Sequence, residues 1–208
     1  SATLLATQGA IKTYVDAQTP PTSTLAEVLA AGNLTGGSDL VVSTGDDIQT
    51  LSAGTSNLRL GVGAGAALAA GGSYNVLVGD GAGAATTSGI NNSALGYQAL
   101  YTNTTGTQNI AIGSFALQAN TTANYNIATG SEALKTNTTG SANVAIGFNS
   151  LKSNTTGTQN IAMGYQAAWS NTTGSYNAAI GGLTLHSNTT GSTNSAFGYH
   201  ALYSNTTG

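Results

Sequence analysis

Charge is nearly missing from this chain. Only 5% of its 208 residues are Asp, Glu, Lys or Arg, against about a quarter in an ordinary globular protein. The four cations, Lys12, Arg59, Lys135 and Lys152, are too few and too scattered to form a stripe that neutralises phosphates, which argues against a nucleic-acid partner. Cysteine is absent, so there are no disulfide staples; this fits a reducing cytoplasm or an extracellular rod that needs none. No apolar run reaches the roughly 18 residues of a membrane span. Leu4 and Leu5 lack the cationic flank and long apolar core of a signal peptide.

The chemistry-bearing residues are equally sparse. Six of the seven carboxylates, Asp16, Glu27, Asp39, Asp46, Asp47 and Asp80, precede the regular part of the chain and leave Glu132 alone in it. Asp46 and Asp47 with Asp80 read as an exposed turn rather than a cation site. His186 and His200 have no partner at metal-ligand spacing, and no catalytic dyad can be assembled. The expectation is a protein that is not an enzyme and carries no cofactor or metal.

What is present is a repeat. An Asn-Thr-Thr element recurs at Asn103, Asn120, Asn137, Asn154, Asn171, Asn188 and Asn205, each 17 residues after the last. A second asparagine opens a short apolar run at Asn92, Asn109, Asn126, Asn143, Asn160, Asn177 and Asn194. Asn57 and Asn75 open less perfect copies upstream, 18 residues apart. A fixed short period means stacked units that bury their apolar faces on one another. Seventeen residues interrupted by turn elements leave no room for a helical pair. Alternation inside the run, with Ile110 and Ile112 on one side and Ala111 on the other, indicates a strand. The chain is therefore expected to be all-β, a parallel β-solenoid of nine coils.

The columns of this repeat carry distinct expectations. The large apolar residue three after the asparagine (Leu60, Val78, Leu95, Ile112, Ile146, Met163, Ile180 and Phe197, with Thr129 the exception) reads as core. The intervening alanines, Ala94, Ala111, Ala128, Ala145, Ala162, Ala179 and Ala196, read as a face on which something approaches closely, a candidate packing column. Eight after the asparagine, Leu100, Leu117, Leu134, Leu151, Ala168, Leu185 and Leu202 form the other wall. Nine after it, Tyr101, Gln118, Lys135, Lys152, Trp169, His186 and Tyr203 are large and varied; they are expected to face solvent as a candidate receptor- or glycan-binding column. The competing reading of that column is an unconstrained position. A further aromatic column, Tyr97, Phe148, Tyr165 and Tyr199, is expected to cover the coil edge.

Asn-Thr-Thr-Gly is turn chemistry, and stacked asparagines would form amide ladders. The glycines at 61, 63 and 65 and at 79, 81 and 83 lack the Lys and Ser/Thr of a phosphate loop and recur one coil apart; they read as tight corners. The Asn-Thr-Thr sequons, with Asn33-Leu-Thr35, are read as structural turns rather than glycosylation sites. Upstream, residues 1–21 suggest a short helical neck with Leu4, Ile11, Tyr14 and Val15 on a seam, ended by Pro20 and Pro21. Residues 22–53 suggest a small helix-strand adaptor, with Thr24 and Glu27 as a capping box. Residues 54–208 are the repeat shaft, which is expected to continue beyond residue 208.

The Asn-x-Ala-(large apolar)-Gly runs, with their Ala and Leu columns and Asn-Thr-Thr-Gly turns, resemble the left-handed parallel β-roll of trimeric autotransporter adhesin heads. They are similar also to repeats of phage tail fibres and of surface proteins that end in an endosialidase-type chaperone domain. The likeness covers roughly residues 54–208, at a period longer than that of adhesin heads. Leu5 to Gln18 and Thr24 to Ile48 are similar to stretches common in phage tail fibres. The resemblance implies a parallel homotrimer, with the alanine column as its packing face, located in the virion tail fibre. Its partners would be other tail proteins and a host cell-surface glycan or protein. A bacterial surface adhesin head is the alternative. An ice-binding solenoid ranks below both, because Thr104 and Thr105 point opposite ways in an extended chain.

Overall fold

The computed structural model describes residues 56–208. The neck over 1–21 and the whole of the adaptor over 22–53, with the pair Asp46 and Asp47, lie outside the described residues. Nine three-residue strands, β1 (Leu58–Leu60), β2 (Val76–Val78), β3 (Ser93–Leu95), β4 (Ile110–Ile112), β5 (Ile127–Thr129), β6 (Val144–Ile146), β7 (Ile161–Met163), β8 (Ala178–Ile180) and β9 (Ser195–Phe197), form one parallel sheet in sequence order. Register is strict: Leu58 pairs with Val76, Ile110 with Ile127 and Ala178 with Ser195. No helix occurs among the described residues. At about 4.8 Å per strand, the stack is about 40 Å tall.

Hydrogen bonding between coils extends well past the strands. The Leu117 amide donates to the Ala133 carbonyl at 3.0 Å, and the Thr104 amide to the Thr121 carbonyl at 2.9 Å. Nearly the whole perimeter is thus a ladder, which is why three-residue strands suffice. Corners are made by residues with left-handed backbone in fixed columns: the residue before each opening asparagine, and those six and eight after it. Phe115 (φ 60°) and Leu117 (φ 50°) are examples. The glycine that ends each strand has a second role besides its φ. A Cβ on Gly113 would lie 2.6 Å from the Gly130 carbonyl oxygen, so the coils touch there backbone to backbone.

The alternation in the strands was expected to aim the large residues inward, and the structure reverses this. The alanine column faces the coil interior, with Ala111, Ala128, Ala145, Ala162 and Ala179 fully buried. Leu60, Leu95, Ile112, Ile146, Met163 and Phe197 face outward, each more than a third exposed, and Val78, Thr129 and Ile180 beside them are half-buried. Alternation defines which residues share a face, not which face is inside. The interior is set by space: opposite the alanines sit the residues eight after the asparagine, of which Leu100, Leu117, Leu134, Leu151 and Leu185 are fully buried and Ala168 is the one alanine. Between those leucines and the strand a methyl group is what fits.

Candidate functional site

Two internal ladders of asparagine amides hold the coils in register. In the first, Oδ1 of Asn126 accepts from the backbone amide (2.9 Å) and Nδ2 (3.2 Å) of Asn143 in the next coil. Nδ2 of Asn126 donates to Oδ1 of Asn109 and to the Gly140 carbonyl at 3.0 Å. All four hydrogen-bonding positions of the side chain are therefore used, which is what a buried amide requires. The pattern runs from Asn57 to Asn194. The second ladder uses the Asn-Thr-Thr asparagines. Nδ2 of Asn137 donates to Oδ1 of Asn120 (3.2 Å) and to the Gly140 carbonyl (2.9 Å), and the series continues to Asn205. The sequon asparagines from Asn103 to Asn188 are fully buried, and the amide nitrogens from Asn120 to Asn188 each donate twice within the stack. The first threonine after each is committed too, as when the Thr121 hydroxyl donates to the Thr138 carbonyl at 3.1 Å. The second, such as Thr122 or Thr139, is exposed, so the threonines do alternate.

The column nine after the asparagine does not stand clear in solvent as expected. Tyr101 and Tyr203 are just exposed, while Gln118, Lys135, Lys152, Trp169 and His186 are half-buried, because successive coils stack these side chains on one another. The Trp169 and His186 rings lie 5.3 Å apart at 12°, and those of His186 and Tyr203 4.9 Å apart at 12°. His200 lies against Tyr203 at 4.8 Å and Tyr199 at 4.2 Å. A sugar stacks on a free ring face, and the faces of His186 are taken by its neighbours. Lower in the column Lys135 (2.9 Å) and Lys152, one coil apart, both pair with Glu132, and Lys135 also lies over Phe115. Lys135 first and Lys152 second hold the Glu132 carboxyl below its ordinary value. Burial lowers His186 below the ordinary imidazole value, and a charge on His200 lowers it further. Gln118 donates to Gln98 at 2.7 Å. In the edge column, Tyr97 meets Phe115 edge-on and Phe148 stacks on Tyr165.

The largest surface feature is the outer face of the sheet. The columns one and three after the asparagine place Val76, Leu95, Ile110, Ile112, Ile127, Ile146, Ile161, Met163 and Phe197 side by side, between 36% and 67% exposed. The alanine column is corrected as a candidate inter-chain face: its methyl groups point into the coil of their own chain.

No family model, curated protein or solved structure matches this chain.

The geometry of the described residues offers an exposed apolar surface. Among the described residues no group of three or more His, Cys, Asp or Glu is placed to hold a metal, and no helix is long and apolar enough to cross a membrane. The outward apolar face is what reading the sequence missed. A signal for it was available in the second coil, where Leu77 takes the alanine position and Gly83 the leucine position, an exchange that makes sense only if the two share one interior.

Proposed function

We propose that residues 54–208 are the shaft of a viral (phage) tail fibre, assembled as a parallel homotrimer, with a mechanical rather than an enzymatic role. The observation that carries this reading is the outer sheet face: a row of Ile, Val, Leu, Met and Phe about 40 Å long that a single chain leaves in water. Monomers rarely expose a contiguous apolar patch larger than a few hundred Å². A parallel copy of the same chain has the same rise per coil, so it meets this row with an apolar residue at every level. The resemblance of the repeats to trimeric β-rolls supports three chains around a common axis, left-handed coils and a location in the virion. A shaft so built holds a host-binding element away from the particle.

The test is solution mass by light scattering, on the native chain and on Ile112→Lys with Ile146→Lys. The native chain should weigh three chains, and the doubly charged variant should weigh one while keeping its β circular dichroism. A native monomer would overturn the trimer. A variant that stays trimeric would move the contact to another face.

A further inference from the structure

We propose that the ring array of Trp169, His186, Tyr203, His200 and Tyr199 is an acid-sensitive clasp, which ties coils seven to nine together while its imidazoles are neutral and loosens when they take up protons. The array crosses three coils and three columns, with neighbouring centroids 4.2–5.3 Å apart. It lies apart from the apolar sheet face and does not depend on the role proposed for the shaft.

Three observations make the charged form unwelcome. Nδ1 of His186 is buried without a hydrogen-bond partner, as is Nε1 of Trp169, so an added N–H finds a donor nearby and no acceptor. Both histidines pack on Tyr203, which brings two cations to one ring when both are protonated. No carboxylate side chain answers them: the charged and titratable groups in the columns of the array, from the coil below it upward, are Tyr165, Tyr199, Tyr203 and, one coil below Trp169 in the same column, Lys152. The two described carboxylates are Asp80, in the second coil, and Glu132, held by Lys135 and Lys152. Flanking rings do attract a stacked imidazolium. At His186 that attraction works against burial, the missing acceptor and the neighbouring histidine together, while His200 is exposed and enters only as the second imidazole on Tyr203.

Trp169 is the only tryptophan in the chain, which makes the array its own reporter. The experiment follows Trp169 emission of the whole 208-residue chain from pH 8 to pH 4.5, with amide hydrogen exchange at both ends of that range. The native protein should show one reversible emission transition on the acid side of the ordinary imidazole range. Amides at residues 185–203 should exchange at least tenfold faster at pH 4.5, after correction for intrinsic rates, while those of residues 109–129 hold. His186→Tyr with His200→Phe, residue types already present in these columns at Tyr101 and Phe115, should abolish both changes. A native chain without the transition, a transition that persists in the double variant, or slower exchange in acid would each overturn the clasp.

Discussion

The first two coils and the seven that follow fill the same interior in opposite ways. In the regular coils the strand contributes a methyl group, as with Ala111, and the far wall contributes a leucine, Leu117, held in left-handed backbone at φ 50°. In the second coil the strand contributes Leu77 and the far wall is Gly83, with the same backbone at φ 56°. A Cβ on Gly83 would lie 2.7 Å from Cδ2 of Leu77. The first coil goes further: Arg59 takes the strand position over Gly65, and its Nε donates to the Ala64 carbonyl at 2.8 Å. A left-handed non-glycine residue costs about 1–2 kcal/mol, and a fully buried leucine returns about 1.5–3 kcal/mol. The regular coils accept the strain to gain a leucine; the early coils avoid it with glycine, and the second moves the leucine to the strand. The seventh coil, with Ala162 and Ala168, has a leucine at neither position, so strand and wall exchange volume between particular coils rather than enclosing one fixed amount.

Both regions share the first asparagine ladder, and breaking it should have the largest effect. In Asn143→Leu, Asn160 loses the acceptor of its backbone amide and of one Nδ2 hydrogen, bonds of 2.9 and 3.1 Å. The Gly157 carbonyl loses one of two donors. At about 1–3 kcal/mol for each stranded buried group, the loss should be about 3–5 kcal/mol. Chemical denaturation would measure it. A cost under about 1 kcal/mol would mean that water enters the stack and replaces the ladder.

The exchange of volume between strand and wall is tested by a double-mutant cycle. Leu77→Ala should cost about 2–5 kcal/mol by opening a cavity. Gly83→Leu alone should cost about 1–3 kcal/mol by overfilling, beyond its backbone strain. Made together they give the second coil the pattern of the regular ones and should recover most of both losses, a coupling that additive sites never show. The mirror experiment is Ala145→Leu, rescued by Leu151→Gly. Additive losses in either cycle would mean that the two positions do not share one space.

Much of this fold was legible in the sequence because repetition writes each constraint several times. The period located the strands, and the asparagines at one position in every coil announced the ladders. The leucines eight after the asparagine read correctly as interior, except Leu202 in the last coil, which is 49% exposed. The sense of the strand was not legible from the regular coils: Ile-Ala-Ile states an alternation, and size suggests that the isoleucines go inside. Only the neighbours across the coil decide, and they are six residues away rather than adjacent. A longer separation hid the stacking of Trp169, His186 and Tyr203, residues 17 apart that looked like separate surface positions. A column of bulky side chains one coil apart cannot stay independent at a rise of about 4.8 Å.

The second ladder exposes a gap between the two regions. It begins at Asn103; the equivalent place in the second coil is Thr86, whose buried hydroxyl has no hydrogen-bond partner, and in the first it is Leu68. In regular coils one carbonyl serves both ladders, as the Gly106 carbonyl accepts from Asn92 and Asn103. The Gly89 carbonyl already accepts from Asn75 and stands ready for a second donor. Thr86→Asn should extend the ladder downward and raise stability by about 1 kcal/mol, read as a higher thermal midpoint. An unchanged or lower midpoint would show that the second coil differs in shape as well as in sequence.

The smallest effect belongs to the ion cluster that links two regular coils. Glu132 joins Lys135 in its own coil to Lys152 in the next, and all three are partly open to water. Solvent screening keeps such pairs near about 0.5 kcal/mol, so Glu132→Gln should cost no more than about 1 kcal/mol, less in high salt. The lysines lower the carboxyl in the folded chain. Its contribution is therefore fully present above the ordinary carboxylate range, near 4.5, and is lost as pH falls through the lower folded value. Native protein and Glu132→Gln should differ most at neutral pH and converge in acid below that range. The clasp at coils seven to nine would lose stability at higher pH than this, so Glu132→Gln leaves that earlier step in place. If Glu132→Gln instead removed the transition near the imidazole range, the pH response would belong to the ion cluster, and the regular coils would differ from one another in charge alone.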